Sequence, residues 1–144
     1  KDATVQIVKL LKSLGNKEPR VAFLSATESI LKSVPSSLEA NILYEWCSKN
    51  INNAHFSGPL ALDTLLSYDA AVTKGLQGNP VVGQPDAIIV PDIVSGNVLF
   101  KSLVYLSGGC AAGLVLGAKV PLLLTSRADP PAARLASIAL ATLI

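Results

Sequence analysis

Short apolar runs that alternate with helix-like segments are the feature that most constrains the fold of this chain. The runs RVAFLSA (20–26), DAIIVPDI (86–93), AAGLVLG (111–117) and VPLLLTS (120–126) show little polar alternation. Strands without that alternation are typical of a parallel sheet that is covered by helices on both faces. The pattern therefore predicts an α/β domain with three layers and a largely parallel sheet.

Helical segments lie between these runs. Residues 2–14 carry apolar side chains at helical spacing, and Gly15 follows as a helix stop. The segment 36–49 starts with Ser36 and has Glu39 three residues later, which is the capping-box pattern. Its predicted apolar face consists of Leu38, Ile42, Leu43 and Trp46. The remaining predictions are helices over about 97–106 and 130–144, a turn at Gly58-Pro59 and a loop at 77–85.

Length, charge and cysteine content narrow the class of protein. The 144 residues suit one domain with its own core. The net charge of +2, with scattered Lys and Arg, gives no basic stripe and argues against a nucleic-acid partner. Cys47 and Cys110 form no zinc or disulfide pattern and fit a reducing cytoplasm. The uncharged run 102–118 is too short for a membrane span, so no membrane partner is expected.

The first candidate site follows the apolar run 86–93. Asp92 ends the predicted strand, and Ser95-Gly96-Asn97 opens the next predicted helix. Ligands of open α/β sheets bind at the carboxyl ends of the strands, and a helix N-terminus favours phosphate because its N–H groups are unpaired. The alternative is that Ser95 or Asn97 only caps the helix.

The second candidate site is the corner between the run 120–126 and the last helix. Arg127 has a fork of donors that suits a phosphate or a carboxylate, and the Ser126 hydroxyl suits an oxyanion. Asp129 is the expected N-cap of the helix, and Pro130 suits the first turn. The alternative is that Asp129 only caps, while Arg127 pairs with Asp129 or faces solvent.

The segment SGPLALD (57–63) is a third candidate, in which Asp63 is either a helix N-terminal charge or a ligand contact. His55 is the single histidine, and no nucleophile order or metal-ligand cluster accompanies it, so a structural role is predicted. The chain contains neither the Gly-x-Gly-x-x-Gly pattern nor a Walker A sequence. Dinucleotide and P-loop sites are therefore not indicated.

Several of these segments, in the same order, resemble the C-terminal part of phosphate acetyl/butyryltransferases. The motifs are VAFLSATES, VPSSLEA, GPLALD, PDIVSGNVLFKSLVYL, GLVLGAKVPLLLTSRAD and ARLASIAL. Together they extend from about Val21 to Leu140. The SRAD pattern makes the chain look closer to the butyryl-type branch than to the acetyl-type enzymes.

The resemblance implies a cytoplasmic, metal-independent enzyme that needs no cofactor. Its substrates would be acyl-CoA and inorganic phosphate, which are converted reversibly to acyl phosphate and coenzyme A. It also implies a two-domain fold like that of isocitrate and isopropylmalate dehydrogenases, with the active site in the cleft. Residues 1–144 would then be a single α/β domain that resembles the second, dimerisation domain, and residues 124–144 would return to the cleft.

The resemblance also implies roles for the candidate residues. Arg127 would hold phosphate or the developing charge, and Ser126 would donate a hydrogen bond. The segment Ser95-Gly96-Asn97 would bind the phosphoryl end of a substrate. Lys101 and Asp92 would complete the phosphate and coenzyme A binding residues.

Two positions depart from the family pattern. Acetyl-type relatives have an aspartate, the proposed base, seven residues after the serine, where this chain has Ala133. Asp129 is the nearest carboxylate, and we assign it the base or thiol-orienting role. Ser57 stands where relatives often have an aspartate before Gly-Pro-Leu.

Two other classes of protein compete with this interpretation. One is another enzyme of the dehydrogenase-like fold, which would bind a divalent metal through clustered carboxylates; here Asp63, Asp92 and Asp129 are dispersed along the chain. The other is a non-catalytic domain for dimerisation or coenzyme A binding. Apolar helix surface in ILYEW and VLFKSLVYL predicts a homodimer.

Overall fold

The computed structural model describes residues 1–143. The chain divides into two compact units, one formed by Lys1–Ile93 and the other beginning at Val94. The expectation of one domain over residues 1–144 stays a prediction. Within residues 1–143 no helix is both long and apolar enough to cross a membrane.

A three-stranded parallel sheet forms the centre of the first unit. β1 lies between its neighbours in the order β2-β1-β3, and Val21 of β1 pairs with Phe56 of β2 and Ala87 of β3. The elements of this unit are α1 (Asp2–Ser13), β1 (Arg20–Leu24), α2 (Pro35–Asn50), β2 (His55–Leu60), α3 (Leu62–Leu66), α4 (Tyr68–Thr73) and β3 (Ala87–Ile89). The predicted α/β class with a parallel sheet is confirmed here.

Alternate residues of β1 contribute to cores on opposite faces of the sheet. Val21 and Phe23 belong to one buried cluster with Val8 of α1 and with Ala40 and Cys47 of α2. Ala22 belongs to the other, together with Leu60, Leu65, Ala71, Val81 and Val82. Because successive strand side chains point to opposite faces, a continuous apolar run serves both cores. The first unit thus has the three layers that the sequence predicts.

The predicted turn at Gly58-Pro59 is wrong, because β2 continues through both residues to Leu60. Gly58 is required there by close packing: a Cβ at this position would lie 2.6 Å from the Cβ of Phe23 in the neighbouring strand. The glycine that indicates a turn in the sequence therefore serves close contact between strands.

The predicted capping box of α2 is also wrong, and the predicted apolar face is wrong at Ile42. The helix has no side-chain N-cap, and the Ser36 hydroxyl forms a 3.0 Å hydrogen bond with Ser25 instead of a capping box. Ile42 is 58% exposed, whereas the buried positions of the helix are Ser37, Ala40 and Cys47. Leu43 and Trp46 pack against the core beside these small residues, as predicted, so only Ile42 departs clearly from the predicted apolar face.

The second unit contains two helices and a small antiparallel sheet. Its elements are α5 (Ile93–Tyr105), whose first residue ends the first unit, β4 (Leu114–Val115), β5 (Leu122–Leu123) and α6 (Pro131–Ala141). β4 pairs antiparallel with β5. The prediction that these two runs extend a buried parallel sheet is therefore wrong. Leu122 is 48% exposed and Leu124 69%.

An ion pair links the starts of β1 and β3 in the first unit. The Arg20 guanidinium donates to both Asp86 carboxylate oxygens at 3.1 and 3.2 Å, and the Arg20 backbone N–H donates to the same carboxylate at 2.8 Å. The hydrogen bond from the Arg20 side chain is the main cause that lowers the pKa of Asp86. The pair therefore fixes the register in which β1 meets β3.

We expect Asp86→Ala to lower the free energy of unfolding at pH 7 by about 2 kcal/mol, because it leaves a backbone N–H and a guanidinium without their acceptor. The pKa of Asp86 is depressed in the folded chain, so the stabilisation is complete above the unfolded pKa of about 3.9 and is lost as the pH falls through the folded value. Urea unfolding between pH 7 and pH 3 measures this. The difference from the wild type should be constant to about pH 5 and then shrink.

Asp69→Ala is the control for this substitution. Asp69 is exposed, and within residues 1–143 its carboxylate takes part in no hydrogen bond or ion pair. We expect a change below about 0.5 kcal/mol. Equal effects of the two substitutions would contradict a role for Asp86 in strand register.

Candidate active site

The corner between β5 and α6 is held by hydrogen bonds among its own residues. The Ser126 backbone N–H donates to Asp129 Oδ2 at 2.6 Å, and the Asp129 N–H donates to the Ser126 carbonyl oxygen at 3.1 Å. The Ala128 N–H donates to Ser126 Oγ at 3.3 Å. These bonds form a tight four-residue turn in which Ser126 and Asp129 fix one another.

Asp129 does not cap α6, so that part of the prediction is wrong. The N-cap is Pro130, and no side chain caps the helix. The helix starts at Pro131, so Asp129 lies one residue before the N-cap position and its carboxylate accepts the Ser126 amide instead. The second carboxylate oxygen, Oδ1, has no hydrogen bond to any group within residues 1–143.

Arg127 and the Ser126 hydroxyl keep donors that nothing in residues 1–143 uses. Arg127 is exposed and forms no ion pair with Asp129 or with another carboxylate in this range. The Ser126 Oγ accepts from Ala128, but its hydroxyl hydrogen meets no acceptor there. The corner therefore places a cation and a hydroxyl donor side by side on a fixed backbone, which suits a bound oxyanion.

The start of α5 differs from the prediction by four residues. The helix begins at Ile93 rather than near Asn97, so Ser95, Gly96 and Asn97 are its third to fifth residues. Neither Ser95 nor Asn97 occupies the N-cap position. The N–H groups of the first four residues of a helix have no carbonyl partner within it, and Gly96 is the fourth residue of α5. Asp92 stands directly before the helix and brings a negative charge to that positive end.

Lys101 lies two turns further along α5. Its ammonium nitrogen is 5.9 Å from the centre of the Tyr105 ring, one turn towards the C-terminus. The lysine is exposed and shares its helix face with Asn97, four residues earlier. The predicted site residues from Ser95 onwards all lie in the second unit. They fall into two groups, one on α5 and one at the corner before α6.

The third candidate segment has its polar groups engaged in the first unit. Ser57 is buried in β2 and accepts a 2.6 Å hydrogen bond from the Asn79 side chain. Asp63 pairs with Lys74 at 2.9 Å, and this contact lowers the pKa of Asp63. Lys74 also contacts Glu28 at 3.0 Å. Asp63 thus belongs to a three-residue charge network rather than to a free ligand contact.

His55 lies at the first residue of β2, away from the carboxyl ends of the strands. It is half-exposed, and its Nε2 is 3.7 Å from a carboxylate oxygen of Glu18. This position agrees with the structural role that the sequence predicts. No group of three or more His, Cys, Asp or Glu side chains within residues 1–143 is arranged to hold a metal ion.

Sequence reasoning missed one polar group near the corner. Ser137 is fully buried on α6 and bridges the backbone of that helix to Gly113, before β4. In the sequence it is a serine among the apolar residues of a predicted helix, and nothing distinguishes it from a surface serine. Only its hydrogen bond with Gly113 shows that it is a buried bridge.

The geometry is that of an α/β chain with a donor-rich corner suited to an oxyanion, and comparison with known proteins identifies its class. The sequence model of the family described as "Phosphate acetyl/butaryl transferase" matches residues 1–142. The chain belongs to the phosphate acetyl/butyryl transferase family.

Relatives of both names resemble the chain. It is 43% identical over 144 residues to a phosphate acetyltransferase of Rhizobium meliloti, covering 99% of this chain and 45% of that protein. It is 39% identical over 138 residues to a phosphate butyryltransferase of Clostridium acetobutylicum, covering 95% of this chain and 46% of that protein. Because the two identities are similar, the closer branch stays a prediction.

A solved structure agrees with this family assignment. A branched-chain phosphotransacylase from Enterococcus faecalis V583 is 32% identical, with a TM-score of 0.88 over 96% of this chain and 50% of that one. A phosphotransacetylase from Streptococcus pyogenes, 24% identical, shares the fold with a TM-score of 0.79 over 99% of this chain and 43% of that one. The chain spans about half the length of the curated relatives it matches.

Proposed function

We propose that the chain forms part of a phosphate acyltransferase that moves a short acyl group between coenzyme A and inorganic phosphate. The corner at Ser126, Arg127 and Asp129 carries the proposal, because it holds an unused cation and an unused hydroxyl donor on a hydrogen-bonded backbone. The family to which the chain belongs supports the choice of reaction over other oxyanion chemistry.

In the direction of acyl-CoA formation, the coenzyme A thiol loses a proton and its sulfur attacks the carbonyl carbon of acyl phosphate. The carbonyl π electrons move to oxygen and give a tetrahedral oxyanion. The oxyanion then collapses, the carbon–oxygen bond to phosphate breaks, and phosphate leaves with that electron pair. Charge grows on the carbonyl oxygen and on the phosphate, so fixed donors aimed at these atoms lower the barrier.

Arg127 holds the phosphate or the charge that develops on it, since a guanidinium makes two parallel hydrogen bonds to such groups. Ser126 donates its free hydroxyl hydrogen to the same charge. Its backbone is fixed by the 2.6 Å bond to Asp129, so the donor needs little reorganisation. Asp129 also takes or orients the thiol proton through Oδ1.

The start of α5 binds the phosphate groups of the substrates. Gly96 presents a first-turn N–H group beside Ser95, while Asn97 and Lys101 share one exposed face of the helix. Asp92 at the same end orients hydrogen-bond donors of the substrate rather than phosphate, because like charges repel. Acyl-CoA and inorganic phosphate are thus the partners of this site.

The wider setting follows from the family and from the exposed surface. We assign the whole protein the two-domain fold of the isocitrate and isopropylmalate dehydrogenase type, with the segment from 124 onwards returning to the cleft. It works as a cytoplasmic homodimer, without a metal ion or cofactor. Exposed apolar side chains on α5, such as Val98 and Tyr105, support contact with a second copy.

A non-catalytic role in dimerisation or coenzyme A binding is the second candidate. The observation that favours it is again α5, since none of its residues is buried although most are apolar. A helix with such a surface needs a partner whether or not the chain performs chemistry.

Release of coenzyme A from acetyl-CoA and butyryl-CoA, measured with and without phosphate, tests the proposal. We expect phosphate-dependent release by the natural protein that contains this chain. The same assay on residues 1–144 shows whether the chain acts by itself. Coenzyme A binding without phosphate-dependent release would favour the non-catalytic role.

A further inference from the structure

Ser137 lies inside the second unit, and both hydrogen-bonding capacities of its hydroxyl are used. Its side chain is fully buried on α6. The hydroxyl donates to the Ala133 carbonyl oxygen at 2.8 Å, one turn earlier in the same helix, and accepts from the Gly113 backbone N–H at 2.9 Å. The second bond leaves the helix and fixes the backbone just before β4.

Gly113 continues this connection to the end of β5. The Leu124 N–H donates to the Gly113 carbonyl oxygen at 3.4 Å, next to the β4–β5 pairs Leu114–Leu123 and Val115–Leu122. A Cβ on residue 113 would collide with the Leu124 carbonyl oxygen. Only glycine lets the two backbones approach this closely. The path from Ser137 therefore ends one residue before Thr125, where the corner begins.

The corner is consequently held at both ends by α6. Pro130 joins it directly to the start of the helix, and the Ser137–Gly113–Leu124 path ties its other end to the middle of the same helix. The antiparallel sheet has only two residue pairs, and its strand β5 is exposed. A sheet this small provides little stiffness, so one buried side-chain bond contributes a large share.

We propose that Ser137 is a positioning residue for the reaction: acting through Gly113, it sets where Ser126 and Arg127 stand relative to α6. The inference rests on the proposed acyltransferase function. Donors that stabilise an oxyanion act only when their geometry is held within about 0.5 Å. Loss of the Ser137 hydroxyl should therefore weaken the transition state more than substrate binding.

The test is Ser137→Ala in the natural protein that contains this chain. We expect kcat to fall about 10-fold or more while KM for acyl-CoA changes about 2-fold or less, because the substitution displaces donors without removing them. Hydrogen exchange of backbone amides over 122–129 should accelerate, since the bond that holds Gly113 is gone.

One substitution on α6 and one at its C-cap serve as controls. Ala136→Gly lowers helix stability without touching the Gly113 bond, and its melting temperature should fall by a few degrees, as for Ser137→Ala. Thr142→Ala removes a hydroxyl that donates only to Ala139 within the helix. Both controls should keep kcat within about 2-fold and leave exchange over 122–129 unchanged, because neither displaces the corner.

The outcomes separate the two proposals. If Ser137→Ala matches Ala136→Gly in both kcat and exchange, the positioning role is overturned while the acyltransferase function stands. If the wild type releases no coenzyme A in response to phosphate, the function is overturned. The exchange comparison then still decides whether Ser137 holds the corner.

Discussion

Replacing Arg127 with alanine is expected to lower kcat/KM for phosphate by about 100-fold or more in the acyl phosphate-forming direction. Arg127 is exposed beside the fixed turn, and within residues 1–143 no carboxylate competes for its guanidinium. A charged donor that meets phosphate contributes to its binding, and it contributes still more in the transition state, where negative charge develops on the carbonyl oxygen that phosphate attacks. Initial rates at varied phosphate concentration measure the effect.

Two further variants make the Arg127 result specific. Arg127→Lys keeps the charge but loses the fork of parallel donors, so we expect an intermediate loss of about 10-fold. Arg134→Ala removes another exposed arginine, from the first turns of α6, and should leave the rate unchanged. Wild-type turnover in Arg127→Ala would remove this residue from the mechanism, and equal losses in Arg127→Ala and Arg134→Ala would indicate a general charge effect.

The first unit was predictable because its strands obey a local rule. Val21, Ala22 and Phe23 are all buried, so an apolar run without alternation correctly indicates a central parallel strand. The same rule failed at Leu122 and Leu123, which are apolar but exposed. An apolar run therefore indicates a strand, but it does not determine which strand pairs with it or how far its side chains are buried.

The number of residues between β4 and β5 indicates how these two strands pair. Only six residues separate Val115 from Leu122. Parallel neighbours need a crossover of a dozen or more residues, whereas an antiparallel pair is joined by a short loop. Gly117, with φ of 91°, lies in that loop and adopts the left-handed conformation that favours glycine. Spacing therefore predicts the antiparallel pair that composition alone misses.

The members of the corner were predictable, but their hydrogen bonds were not. Ser126, Arg127 and Asp129 fall within four positions, so any fold brings them close together. The direction of the Asp129 carboxylate depends on a choice between the amide of Ser126 and the amides of α6, both within reach of a short side chain. The Ser137 bridge depends on a partner 24 residues away, which local patterns do not contain.

Replacing Asp129 with alanine is expected to lower kcat by about 1,000-fold, more than replacing it with asparagine. The alanine variant loses both a proton acceptor and the hydrogen bond that fixes the Ser126 backbone. Asp129→Asn keeps an oxygen that accepts the Ser126 N–H, which now lies 2.6 Å from Oδ2. We expect it to lose about 100-fold, the usual contribution of a positioned general base. Rates from pH 5 to 9 with saturating substrates measure both variants.

The shape of the pH profile separates the two roles of Asp129. A carboxylate that takes the thiol proton frees the reaction from the thiolate that the solvent supplies, so the rate of Asp129→Asn should rise with pH more steeply than the wild-type rate. An unchanged profile in Asp129→Asn would assign the thiol proton to another group. Equal rates in Asp129→Ala and Asp129→Asn would instead mean that the bond to Ser126 contributes nothing to the reaction. If Asp129 both takes the thiol proton and fixes Ser126, two results are required. The pH profile should change in Asp129→Asn, and Asp129→Ala should lose about a further 10-fold in rate, since proton transfer and donor placement act on the same transition state.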